Sequence, residues 1–381
     1  MRRCIYCNSF KEEELFSLEH IFPAALGGKF CNDLFKTRHV CKECNSKSGL
    51  FVDGPFVRSW FLKNDNSIFT LKYVDLNSNN SIYPLSYMGR IDLPGLESDL
   101  VCEWWLGLKG ARYYHLHQYD DEQWAVCAGG NPINRKKDPG RVYLINTCED
   151  VREVGLNIRT MKHSFGSARR YATNITIGND SIKSPFLHQI DKVAQQEISS
   201  ILILKDDVHY VKNQVDVGFE QRFLMKIARG FGFKILGETY IDTAYAYHLL
   251  AGLNERNPEA RRKLAVRGSG YFKTLDSQLN KIIGWEGAYT VHFHVIKNYF
   301  GLSLYLPSTK NMHVVISDEA NLWTSTILKD YLEGIIYLII PQLGMFVGPL
   351  DLPSYFAHRR GIVSIRELEQ IEQKSKETLS L

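Results

Sequence analysis

The sequence predicts an α+β protein in which a small N-terminal module precedes a larger mixed α/β body. Three observations carry this reading. Four of the eight cysteines form two C-x-x-C pairs near the start, Cys4 with Cys7 and Cys41 with Cys44. Beyond Asp53-Gly54-Pro55 the texture changes, and strand-like and helix-like stretches begin to mix. A chain of 381 residues is also longer than one core usually needs. The module is set at residues 1–58 and the body at 59–381, with a further division expected between 180 and 220.

Composition narrows the class. Hydrophobic content of 44% and charged content of 23% are those of an ordinary folded protein, not of a disordered or fibrous one. The net charge of +4 permits a polyanionic partner without requiring one. The longest apolar run, Gly334 to Leu350, holds Pro341 and three glycines and is too short and broken for a bilayer span. No secretory pattern precedes Cys4. A reducing, cytoplasmic compartment without membrane association is the expectation.

In the body, Phe69–Val74 reads as a strand and Glu103–Gln118 as strand, turn at Lys109-Gly110, strand. Gln123–Ala128 and Arg141–Asn146 read as further strands, separated by a Gly129-Gly130-Asn131-Pro132 loop. Phe186–Glu197, Glu220–Leu236 and Thr243–Leu253 carry helical spacing, although Gly230 and Gly232 weaken the second. Ala288–Lys297 reads as a strand, Gly301–Leu306 and Met312–Ser317 as a hairpin, and Asp318 to about Glu333 as a helix. The charged tail from Val363 onward is predicted to be helical.

The cysteine pairs stand 33 residues apart, Asn8 to Val40. Each pair can pinch a tetrahedral ion from one side, and four thiolates close the shell of a structural zinc. C-x-x-C also occurs in redox proteins, but there it stands alone beside a βαβ pattern. Between the pairs lies Ser17-Leu18-Glu19-His20-Ile21-Phe22-Pro23, then Leu26-Gly27-Gly28-Lys29; Cys41-Lys42-Glu43-Cys44-Asn45 follows. Cutting a phosphodiester needs an activated water and a means of stabilising charge on the phosphate. Neutral imidazole at His20 suits the first task. The carboxylate of Glu19 and the carboxamide oxygen of Asn45 suit a hard ion such as Mg²⁺. Asn45 directly follows Cys44, so the zinc would fix its direction.

These pieces, in this order, resemble the HNH endonuclease family in its cysteine-ligated bacterial branch. The resemblance covers about one-seventh of the chain. It implies a ββα-metal fold, His20 as general base, and one Mg²⁺ or Mn²⁺ held by Glu19 and Asn45. Because adjacent strand residues face opposite ways, Glu19 and His20 can both reach a phosphate only on a twisted or bulged strand. The family's middle polar residue has no clear counterpart, and Asn32, Asp33 and His39 are all candidates.

Other features read more plainly. Arg256, Arg261, Arg262, Lys263 and Arg267 form the densest basic run, which is more often a solvated helix face than a phosphate track. Lys42 and Lys47 flank the motif and are better placed for phosphate contact, with Arg261 and Arg262 as further candidates. His115-x-His117 and His292-x-His294 have metal-compatible spacing but no evident third ligand. Trp104, Trp105, Tyr113 and Tyr114 read as strand packing rather than base-stacking platforms.

The sequence therefore points to a zinc-stabilised, Mg- or Mn-dependent endonuclease, and the resemblance implies DNA as its substrate and an association with antiviral defence and restriction effectors. The body is read as serving target selection, regulation or assembly into a homo-oligomer. A fragment ending near Asn64 is expected to keep zinc. Two alternatives stay open: a nucleic-acid-binding or sensor protein that does not cleave, and a zinc-stabilised interaction protein.

Overall fold

The computed structural model describes residues 1–76, 78, 81–83, 85–93, 95–118, 139–173, 196–197, 199–201, 217–270, 277–296, 298–323 and 329–380. The strand at Gln123–Ala128, the loop after it, Cys127, and the helix expected over Phe186–Glu197 up to Gln195 lie outside these residues.

The chain begins with a small hairpin, β1 (Arg2–Arg3) against β2 (Phe10–Lys11). A second hairpin follows, β3 (Phe16–His20) antiparallel to β4 (Lys36–Cys41). Helix α1 (Lys42–Ser48) starts at Cys41 and runs through a π-turn, Gly49–Asp53, into α2 (Gly54–Arg58). Helix α3 (Trp60–Phe69) and a 3-10 turn, Thr70–Tyr73, stand where a strand was expected over 69–74. Within α3, Leu62 and Asp65 are buried three residues apart, a helical period, and the helix runs on to Phe69 before the 3-10 turn.

Strands β5 (Ser86–Ile91), β6 (Leu100–Leu106), β7 (Arg112–Gln118) and β8 (Gly140–Ile145) follow, then helix α4 (Val151–Ser164) and β9 (Arg170–Thr173). They form one five-stranded sheet in chain order, antiparallel except for the final β8–β9 pair. Its core includes Trp105, Tyr113, Leu144, Leu156 and Phe165. This sheet belongs to a unit spanning Arg58–Val215.

The other unit joins Met1–Val57 to Asp216–Leu381. It holds α5 (Val217–Leu236), α6 (Ala244–Asn254), α7 (Pro258–Lys263), β10 (Gly268–Ser269) and α8 (Ser277–Ile283). Then come β11 (Tyr289–Ile296), β12 (Tyr299–Tyr305) and β13 (Asn311–Ser317), two short helices at Ala320–Trp323 and Lys329–Leu332, β14 (Ile335–Ile340) and β15 (Met345–Asp351). Helices Leu352–Arg359 and Arg366–Ser380 end the chain. The strands make a six-stranded sheet in the order β10-β13-β12-β11-β14-β15. The run Gly334–Leu350 thus supplies two sheet strands, and among the described residues no helix is long and apolar enough to cross a membrane. Of the helix expected from Asp318 to about Glu333, Ala320–Trp323 and Lys329–Leu332 are helical, and residues 324–328 lie outside the described residues.

The N-terminal module is not a separate body. Phe35 is fully buried, and its ring meets Phe231 of α5 at 5.0 Å and Tyr337 of β14 at 5.2 Å between centroids. Phe22 packs edge-on to Tyr289 at 5.6 Å, and Phe56 stacks on Phe223 at 3.8 Å. The glycines of α5 are packing devices rather than breakers. A Cβ at Gly230 would lie 2.7 Å from Ile21 Cγ2, and one at Gly232 would overlap the Tyr240 ring. Glycine at 230 lets the module approach the helix, and glycine at 232 lets the 3-10 turn Glu238–Asp242 seat Tyr240 against it, which explains residues that weakened the helix on propensity alone. The fragment 1–64 would expose Phe22, Phe35 and Phe56 together. Contrary to the expectation drawn from the sequence, it should be insoluble or partly unfolded when expressed, as judged by soluble yield and zinc content against the full chain.

Each paired-histidine strand finds a third group across its sheet, which the sequence did not reveal. His117 Nε2 lies 3.3 Å from Glu103 on β6. His294 Nε2 lies 2.9 Å from Ser303 Oγ, which in turn lies 3.3 Å from His313 Nδ1. Among the described residues the four paired cysteines are the cluster of three or more His, Cys, Asp or Glu whose ligand atoms lie close enough for one ion, and neither histidine set is such a cluster. Burial pushes His292 down to about 4 and His294 down to about 2. In the unfolded chain both take up protons near the usual value of about 6.5. The unfolded state thus binds more protons below that value, so stability is full above it and falls as pH drops. Each histidine should cost on the order of 2 kcal/mol at pH 5. The melting temperature is expected to fall between pH 7 and pH 5, and His292→Leu to flatten that slope.

Candidate metal centre and phosphodiester site

The two cysteine pairs converge. Cys4 and Cys7 sit on the turn between β1 and β2, which Asn8 closes with a positive φ of 64° and an N–H bond to Cys4 O at 2.8 Å. Cys41 is the N-cap of α1, and Cys44 lies in its first turn. The four sulfurs lie within 4.8 Å of one another. A tetrahedral Zn–S shell with bonds of about 2.3 Å fits that envelope. Cys4 accepts a backbone N–H from Cys41 at 3.3 Å. A hydrogen bond from Cys44 pushes the Cys4 thiol down to about 5, while Cys44 itself is pushed up. One thiolate is therefore already favoured, and a cation would stabilise the others.

The β3–β4 hairpin carries the chemistry. Its pairing shifts register between Ser17 and Glu19, where Arg38 and His39 together oppose Leu18. The extra residue lies on β4. Leu18 is 41% exposed, and Glu19 turns inward with 3% exposure. His20 remains half-buried, and its imidazole makes no hydrogen bond among the described residues. Burial, with Lys36 and Lys226 adding positive charge, holds its pKa below the usual histidine value. Neutral imidazole is thus the prevailing form near neutrality.

Asn45 reaches across from α1. Its Nδ2 donates to Ser17 Oγ and to Leu18 O, both at 2.9 Å, which ties the zinc-anchored helix to the irregular stretch of β3. Its Oδ1 makes no hydrogen bond among the described residues. Glu19 points the other way. Its Oε1 lies 2.7 Å from Nζ of Lys226 on α5, and the same ammonium meets Asp53 Oδ2 at 2.6 Å and His20 O at 3.0 Å. Burial pushes the Glu19 carboxyl up, and Lys226 pulls it partly back. Asp53 and Lys226 carry no local signal in the sequence; they stand 173 residues apart and meet only in the fold.

The candidates for the family's middle residue are used elsewhere. Asn32 caps the 3-10 turn at Asp33–Phe35 by accepting from Leu34 N at 3.2 Å, and Asp33 is exposed. The His39 ring lies 4.6 Å from that of Phe233. Among the basic candidates, Lys42 and Arg262 are exposed, and Lys47 is paired with Glu43 at 2.6 Å. Arg261 is buried, because the short helix α7 turns that position inward, so it is not a surface phosphate contact. A groove of about 500 Å³ beside Cys44 is lined by Lys47, Arg222, Arg256 and Phe51, among others. Arg222 was not singled out from the sequence.

Residues 4–61 match the family model of the HNH endonucleases. The N-terminal module is an HNH endonuclease module. Among curated proteins and among solved structures nothing matches the chain. The HNH match covers the cysteine pairs, the β3–β4 hairpin, α1 and α2. If the four cysteines bind zinc, Cys44→Ser should release the metal and unfold the HNH module. Elemental analysis of the purified wild-type chain should give about one zinc per chain, and the variant should give little.

Proposed function

We propose that the chain is a metal-dependent endonuclease that hydrolyses DNA phosphodiester bonds. The observation supporting it most is the free, half-buried imidazole of His20, carried by a hairpin that Asn45 ties to the cysteine-anchored helix. Nucleic acid as the substrate class follows from the HNH module. DNA rather than RNA is the narrower reading, carried over from the family resemblance.

His20 accepts the proton of the attacking water at its ring nitrogen. The depressed pKa suits that task, because the base form is the populated one at neutral pH. Asn45 keeps the hairpin and helix in register through Nδ2 and leaves Oδ1 available to a hard ion. Glu19 offers a carboxylate whose Oε1 already faces Lys226. When bound, a Mg²⁺-like ion supplies positive charge against the phosphate and the leaving oxygen. Exposed Lys42 and Arg262 contribute to backbone affinity, which carries no sequence preference.

A second reading, a zinc-dependent nucleic-acid-binding protein that does not cut, draws on one observation: the inward turn of Glu19 onto Lys226. Cleavage of supercoiled plasmid separates the two. Wild type with Mg²⁺ or Mn²⁺ should nick or linearise it. His20→Ala should keep zinc and duplex binding but lose about 10²-fold or more in rate. Asn45→Ala should raise the metal concentration needed for half-maximal rate. Full activity of His20→Ala would overturn the assignment, and an inert wild type would favour the binding protein.

A further inference from the structure

The buried ammonium of Lys226 has three oxygen partners and no exposure. They are Glu19 Oε1 at 2.7 Å, Asp53 Oδ2 at 2.6 Å and His20 O at 3.0 Å. The ammonium donates hydrogen bonds to Asp53 and to the His20 carbonyl, while Glu19 Oε1 meets it as an ion pair without a hydrogen bond. The donors come from α5, and the acceptors lie on β3 and on the π-turn that follows α1. Two carboxylates and a carbonyl turned toward one point form an oxygen-lined cation pocket, the donor set that hard divalent ions also prefer. Two carboxyl groups share one ammonium, and burial pushes both of them up while Lys226 pulls them partly back.

We propose that Lys226 is an internal counter-cation that competes with the catalytic divalent ion for Glu19 and so sets how much metal the site requires. This rests on the reading of Glu19 as an ion ligand. The ammonium lies within ion-pair distance of the carboxylate that flanks the general base. A divalent ion on that carboxylate would therefore bind against a fixed positive charge that solvent does not screen. Lys226 also holds the peptide from which His20 projects, and the next residue is held independently by the Ile21 N–H bond to Phe35 O at 2.9 Å. Removing the charge should therefore free Glu19 and Asp53 for a metal while leaving the hairpin paired.

The test uses the full chain and needs no cleavage. Free Mn²⁺ is measured by electron paramagnetic resonance in titrations of wild type, Lys226→Met, Lys226→Gln, and Lys226→Met combined with Glu19→Gln. Zinc content and a melting curve report folding. The glutamine variant retains donors for the His20 carbonyl and serves if the methionine variant does not fold. A folded neutral variant should bind Mn²⁺ about tenfold tighter or more, and Glu19→Gln should cancel the gain. Unchanged or weaker Mn²⁺ binding in a folded neutral variant would overturn the proposal. Failure of both neutral variants to fold would also overturn it, by making the ammonium a structural requirement. Plasmid cleavage by wild type and His20→Ala decides the nuclease reading separately. An inert wild type with tighter Mn²⁺ binding in Lys226→Met would reject that reading and keep this one.

Discussion

The HNH module depends on its docking against α5. That helix presents three cationic side chains at positions 222, 226 and 229, and each donates to a backbone carbonyl of the module. Arg222 bonds Phe51 O at 3.3 Å, Lys226 bonds His20 O at 3.0 Å, and Arg229 bonds Ile5 O. The spacing of four and three residues keeps them on one face. Breaking a buried ion pair by removing one partner typically costs about 3–5 kcal/mol. Gly230 lets the helix approach Ile21 closely enough for these bonds to form. A polar seam and an apolar one, through Phe35, Phe22 and Phe56, thus run along the same contact.

Within the module a second constraint operates at shorter range. The cysteines bring the β1–β2 turn and the start of α1 to one point, and Asn45, next to Cys44, passes that position on to β3. The alternation of β3 then exposes Leu18 and sends Glu19 inward to Lys226. His20 is left as the titratable group of β3 that the described structure does not use, which is the condition a general base requires.

The HNH site and its support were legible to different degrees. The cysteine set, His20 and Asn45 could be read because they lie within one short segment, where spacing alone encodes geometry. The third partner of each histidine pair could not, because Glu103 and His313 reach their histidines through sheet pairing. The helix at 60–69 was not read, and the strand expected from Phe69 is instead its last residue and a 3-10 turn. The basic run around Arg261 was visible, but its outward and inward members were not, since a one-residue step on a short helix separates Arg261 from Arg262.

By itself the sequence determined the metal-binding pattern, the order of the HNH pieces and the positions of several body elements, among them α5, α6 and the strands from β11 to β13. These follow from local spacing, turn residues and periodicity, all properties of neighbouring residues. Tertiary structure alone decided that the module shares a core with residues 216–381, and that Glu19 faces inward to Lys226 rather than outward beside His20. It also made Gly230 a point of close approach rather than a helix breaker. The reason is the same in each case: the partner lies hundreds of residues away, and only burial brings a charge, its counter-charge and the intervening glycine to one place.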